Sequence, residues 1–207
     1  MRLPPVARHQ GARRGLIAAL ALALVALASV GCAQRADDAA AAASQANAPK
    51  TVEAGCRNSD AAQAARDFYA KVLADAPSGL PSSASMLKLA PLMSASMRAA
   101  VEKARIRQQA SIAAHPDEKP DFIEGSLFTS LFEGPTALES ATAVANGDSA
   151  VVEVGFVYAQ TAAETLRWKD QALLRCEAGH WRLDDVRYGG DWDFAPKGQL
   201  KQALESE

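Results

Sequence analysis

Leu138-Glu139-Ser140-Ala141-Thr142-Ala143-Val144-Ala145-Asn146-Gly147-Asp148-Ser149-Ala150-Val151-Val152-Glu153-Val154-Gly155-Phe156-Val157-Tyr158 is the stretch that decides the fold. Its centre, Asn146-Gly147-Asp148, is a strong hairpin signal, because a tight reversal between twisted strands needs positive φ and glycine adopts it without strain. After the turn, Val152, Val154, Phe156 and Tyr158 recur with period two, the mark of a strand buried on one face.

The pattern continues downstream. Leu166, Trp168, Ala172, Leu174 and Cys176 fall on one face of a third strand, with Arg167, Lys169, Gln171 and Arg175 on the other. Glu177-Ala178-Gly179-His180 reads as a second hairpin. Trp181 and Leu183 resume the inward face. The phase then slips at Asp184-Asp185, so that Val186 and Tyr188 turn inward, which predicts a bulge. Lys197 to Glu205 is predicted to be a short terminal helix.

Upstream the period is helical. Ala61, Ala65, Phe68, Val72 and Ala76 share one face, with Ser59 or Asp60 as the expected cap and Pro77 as the stop. Pro81 opens a second helical region, in which Met86, Leu87, Leu89 and Leu92 suggest a short helix ending near Met93. Ser94 is placed to cap a longer helix carrying Met97, Val101, Ile106 and Ile112 and ended by Pro116. His115 to Pro120 is a polar loop. No internal repeat is visible. Helices followed by a bent antiparallel meander with one apolar face make an α+β layer arrangement. The expected form is an NTF2-like cone, with the N-terminal helices packed on a curved antiparallel sheet.

Four segments carry a family resemblance: Phe68-Tyr69, the run Leu89 to Ser94, Leu127-Phe128-Thr129-Ser130-Leu131-Phe132, and Trp181-Arg182-Leu183-Asp184-Asp185-Val186. Together they resemble the YbjP/YqhG-like lipoproteins of the bacterial envelope, a family with an NTF2-like domain. The likeness spans about 60–200 and consists mainly of core positions. It implies fold and location, and it brings no catalytic motif.

The N-terminus points the same way. Arg2, Arg8, Arg13 and Arg14 form a basic leader, and Leu16 to Val30 is an apolar run of signal-peptide length, too short to span a bilayer comfortably. Ser29-Val30-Gly31-Cys32 resembles a lipobox, with Ser29 where that pattern prefers Leu. The resemblance implies cleavage before Cys32 and acylation of Cys32. Ala33, in place of the Asp of an inner-membrane retention signal, favours the periplasmic leaflet of the outer membrane over the inner membrane. The expected organisation is a signal peptide over 1–31, a flexible Ala-rich tether over 32–55, and one domain over 56–207.

With Cys32 lipidated, Cys56 and Cys176 remain as an even pair in an oxidising compartment, and a disulfide is the expected state. Two cysteines and scattered histidines offer no zinc spacing. Loss of 1–31 removes four of the 22 Lys and Arg and none of the 24 Asp and Glu, leaving 18 against 24 and a net charge of −6. That balance argues against nucleic acid as a partner. No cofactor motif is present.

Three places are candidates for function. The segment Asp121 to Pro135 carries Phe122, Phe128 and Phe132 between polar loops, suited to a partner or to the mouth of the cone. Its plainer reading is a strap that pins helix to sheet. Tyr188-Gly189-Gly190-Asp191-Trp192-Asp193-Phe194 offers a glycine-hinged loop with Tyr188, Asp191, Trp192 and Asp193 as binding residues. Its plainer reading is a cap on the sheet made by Trp192 and Phe194. Calcium there would need Asp191 and Asp193 joined by Asp184 or Asp185, well short of a full ligand set. Asp170 shares the inward face with Trp168, so a carboxylate in an aromatic cavity is the one catalytic hint. His115 and His180 fall in a loop and a turn, in no catalytic order.

The expected function is binding: a lipid-anchored, non-catalytic accessory protein of the envelope. A second version is an immunity lipoprotein that neutralises a periplasm-targeted toxin. A third is a cavity enzyme using Asp170.

Overall fold

Ala61–Asp75 form the first helix, α1, and bury a stripe of Ala61, Ala65, Phe68, Tyr69 and Val72. That spacing puts every large apolar side chain of the helix on one face. The computed structural model describes residues 55–161 and 164–206. The expected signal peptide, Cys32 and the tether up to Ala54 lie outside the described residues. The described residues belong to one compact unit.

The start of α1 differs from the sequence expectation. A 3-10 turn over Asn58–Asp60 leads into it, and Asp60 already has helical backbone angles (φ −92°, ψ −9°). A capping side chain needs extended backbone, so Asp60 caps nothing and pairs with Arg57 at 3.2 Å instead. The end of α1 also differs. Pro77 bars its predecessor from helical angles, and Ala76 turns left-handed (φ 40°) and exposed where the apolar face was expected to continue.

Ser83–Leu89 form α2 and Ala95–Ala114 form α3. Ser94 caps α3 as expected, its hydroxyl accepting from the Met97 N–H at 3.0 Å. The buried face of α3 is Met97, Val101 and Ala104. Ile106 and Ile112 were expected on that face and are exposed, because they fall off its i, i+4, i+7 line. Leu87 on α2 is exposed as well.

Four antiparallel strands follow in sequential order: β1 Ala137–Asn146, β2 Ser149–Ala159, β3 Thr165–Glu177 and β4 His180–Arg187. Both predicted hairpins form. Gly147 (φ 59°) takes the positive angle in the first; Ala178 and Gly179 (φ 49° and 76°) take it in the second, the type I′ pattern. Trp168, Ala172, Leu174, Trp181, Leu183 and Val186 all face the helices and are buried, as their alternation requires. The slip in β4 is a bulge: Leu173 pairs with Asp185 and Leu174 with Leu183, leaving Asp184 unpaired. A second bulge leaves Glu139 unpaired in β1. The terminal helix α4, Leu200–Glu205, begins later than predicted. Gly198 turns at φ 81° and Gln199 bridges Arg187 on the edge of β4, so the chain is extended there.

Cys56 and Cys176 are disulfide-bonded across a separation of 120 residues. Beside them the Trp181 indole N–H donates to the Arg57 carbonyl at 2.9 Å. The chain therefore enters the domain at the turn end of β3 and β4. The other end of α1 lies 15 residues on, about 22 Å away at the helical rise.

Candidate functional site

Asp170 is 1% exposed and forms no salt bridge among the described residues. Four donors of the chain meet its two oxygens. Oδ2 accepts from the Ser130 N–H (2.9 Å) and from the Trp168 indole N–H (3.0 Å). Oδ1 accepts from the Gly189 N–H (2.8 Å) and from the Ser130 hydroxyl. A carboxylate has about four lone-pair sites, so Asp170 is saturated and has no acceptor site left for a substrate proton. The Ser130 hydroxyl in turn accepts from the N–H groups of Gly189 (3.1 Å) and Gly190 (3.0 Å). One residue of β3 thus clips two irregular segments, 126–132 and 188–190, onto the sheet.

The glycines serve this clip by lacking a Cβ rather than by unusual angles. A Cβ on Gly189 would stand 2.1 Å from the Lys169 carbonyl oxygen, and one on Gly190 would strike Trp192, Ala195 and Ser130 within 2.9 Å. Two tyrosines close the same region. Burial, reinforced by the negative charge of Asp170, raises the pKa of both Tyr69 and Tyr188 well above the ordinary phenol value. Both stay neutral and donate, Tyr69 to the Phe128 carbonyl (3.2 Å) and Tyr188 to the Leu127 carbonyl (2.7 Å).

The aromatic residues singled out from the sequence are divided by this packing. Phe128 is 1% exposed and stacks edge-on against Phe68 at 5.3 Å, so it is a core residue and offers no surface. Tyr188 is likewise buried. Phe122 is half-buried in the left-handed region (φ 50°), its carbonyl accepting from the Leu80 N–H at 2.9 Å. Trp192 is half-buried against Trp168 at 6.0 Å, which fits the capping reading for that residue. Phe194, expected to cap with it, stands 95% exposed. Phe132 alone among the three phenylalanines singled out in the 121–135 segment is well exposed, at 59%.

Phe132 lines a cleft of about 310 Å3 between the end of α1 and the 124–135 segment. Val72, Leu73, Pro77 and Pro135 give its lining apolar surface, and the exposed Glu124 and Glu133 also line it. Its wall is fixed by the backbone: Ser126 N–H donates to Phe132 O at 2.7 Å, Gly134 N–H to Leu131 O at 2.9 Å, and Gly79 N–H to Gly125 O at 2.7 Å. The Phe132 ring rests on Gly125, where a Cβ would come within 2.5 Å of it. This cleft was not legible in the sequence, because its two sides lie about fifty residues apart and the 124–135 side has no period.

Among the described residues no group of three or more His, Cys, Asp or Glu is arranged to hold a metal ion. Asp191 and Asp193 are exposed, and the acids suggested to complete a calcium site are engaged elsewhere. Asp184 accepts from Ser94 (2.7 Å) and Ser96 (2.5 Å) and pairs with Lys201 (3.0 Å). Asp185 accepts from the N–H groups of Val186 (2.8 Å) and Lys201 (3.0 Å). No described helix is long and apolar enough to cross a membrane. No protein-family model matches this chain, and no curated protein or solved structure matches it.

Proposed function

We propose that this chain is a lipid-anchored, periplasm-facing protein of the bacterial envelope that works by binding a protein partner. The observation that carries the reading is the cleft beside Phe132, a preformed apolar trough with a held, half-exposed aromatic ring. Aromatic anchors of this kind dominate the energy of protein interfaces. The position of the cleft fits the anchor. A chain tethered at Cys32 enters the domain at Cys56, and the cleft lies at the far end of α1. The basic leader, the apolar run and Gly31-Cys32 support lipidation, and the disulfide suits an oxidising compartment. We read the sheet as the curved wall of an NTF2-like cone, in line with the YbjP/YqhG-like resemblance; the bulges at Glu139 and Asp184, which bend strands, support that reading. An accessory role on an envelope assembly and an immunity role against a toxin are both forms of this function. The enzyme alternative loses its base, since the lone pairs of Asp170 are filled.

Two measurements test the proposal. A fatty-acid analogue should label the wild-type protein and not Cys32→Ala; labelling of that variant refutes the anchor. Phe132→Ala should lose its co-isolating partner while melting at the wild-type temperature; undiminished capture refutes the cleft.

A further inference from the structure

We infer that the cleft receives a short extended segment of the partner in which a basic residue is flanked by apolar ones. The inference rests on the binding role proposed above and adds the chemistry of what is bound. The lining of the cleft has apolar surface, yet every charge on it is negative, and no Lys or Arg lines it. Glu133 has no cation within ion-pair reach among the described residues. Among the described residues Glu124 pairs only with the exposed Lys119. The C-terminus of α1 opens beside these acids. Among the described residues no backbone N–H meets the carbonyls of Leu73, Ala74 and Asp75, and Pro77 has no N–H to offer. A helix C-terminus carries partial negative charge, so the backbone adds to the field of the two glutamates.

The ring of Phe132 completes a site for a cation with an apolar body. Gly125 backs one side of it, and the residue is 59% exposed. An ammonium or guanidinium over an aromatic face is attracted by the ring quadrupole, and its methylene stem packs on apolar surface. A volume of about 310 Å3 fits a few side chains, as a short extended segment would present. The expected net charge of −6 on the mature chain steers basic proteins toward it.

The test uses the full acylated chain in non-ionic detergent, with fluorescein-labelled capped tripeptides read by anisotropy. Leu-Lys-Phe should bind saturably and about fivefold tighter than Leu-Glu-Phe, a difference that falls as salt rises. The double variant Glu124→Gln, Glu133→Gln should bring the ratio to about one, and Phe132→Ala should weaken both peptides. Equal affinity of the two peptides in the wild type overturns the charge inference and leaves the cleft reading standing. Phenethylamine competing as tightly as the lysine peptide overturns the extended segment as the ligand. Binding of neither peptide overturns the inference altogether, and capture by Phe132→Ala then decides whether the cleft reading falls with it.

Discussion

Phe128 and Phe132 lie four residues apart in one irregular segment and meet opposite fates. Around Phe128 every polar atom named above is matched within the chain: Ser130 and Asp170 serve each other, and the carbonyls of Leu127 and Phe128 receive tyrosine hydroxyls. Around Phe132 the ring is exposed, and among the described residues Glu133 lacks a cation and the carbonyls of Leu73, Ala74 and Asp75 meet no backbone N–H. Saturated groups hold a fold, because removing one strands its partners; unsaturated groups beside apolar surface are available to another molecule. The acid that sequence reading made the catalytic hint belongs to the first kind. The surface proposed for recognition belongs to the second.

The comparison breaks first at Phe128. Phe128→Ala should cost about 4 kcal/mol in urea unfolding, the usual price of removing a buried aromatic ring. A cost under about 1 kcal/mol would mean that the ring is not core. Asp170→Asn should come next, at about 3 kcal/mol, because its amide nitrogen must face at least one of the N–H groups that now donate to the carboxylate. Partner capture by the folded fraction should persist. Wild-type melting with lost function in Asp170→Asn would place Asp170 in the working site and revive the enzyme.

The bulge offers a smaller test through pH. Burial works to raise the pKa of Asp184, but hydrogen bonds from Ser96 and Ser94 and the Lys201 ammonium outweigh it and hold the carboxyl below its ordinary value. Its stabilisation is therefore present above the ordinary carboxylate range and lost as pH falls through the lowered value. Asp184→Asn should melt lower than wild type near neutral pH and converge with it in acid. Asp185 has the opposite sign. Burial raises its pKa despite the two backbone N–H groups it accepts. Stability from its protonated form is complete below the ordinary value and lost as pH rises through the raised one. Asp185→Asn keeps the acceptor and should not lower the melting temperature near neutrality. Parallel melting curves for both variants across about pH 3 to 7 would refute these assignments. The smallest stability effect belongs to Phe132→Ala, within about 0.5 kcal/mol of wild type, with partner affinity falling by about 2 kcal/mol.

The meander was legible because period two, two glycine turns and the phase slip at Asp184 are local signals. The cap at Ser94 was legible for the same reason. The contrast between Phe128 and Phe132 was not, since 121–135 has neither period and its burial is set by contacts with Phe68 and Asp170. The saturation of Asp170 was hidden too: its donors come from Ser130 and Gly189, 40 and 19 residues away in sequence. Phe194 was expected to cap the sheet beside Trp192, yet it projects from the loop; its alternation with acids carried no sign of which aromatic packs inward.

The most direct measurement is site-specific photocrosslinking in intact cells, with a benzophenone side chain placed at Phe132 and, separately, at Glu153 on the outer face of the sheet. The account predicts a discrete protein adduct from Phe132, abolished by Glu133→Lys, and none from Glu153. An adduct from Glu153 with none from Phe132 would contradict it.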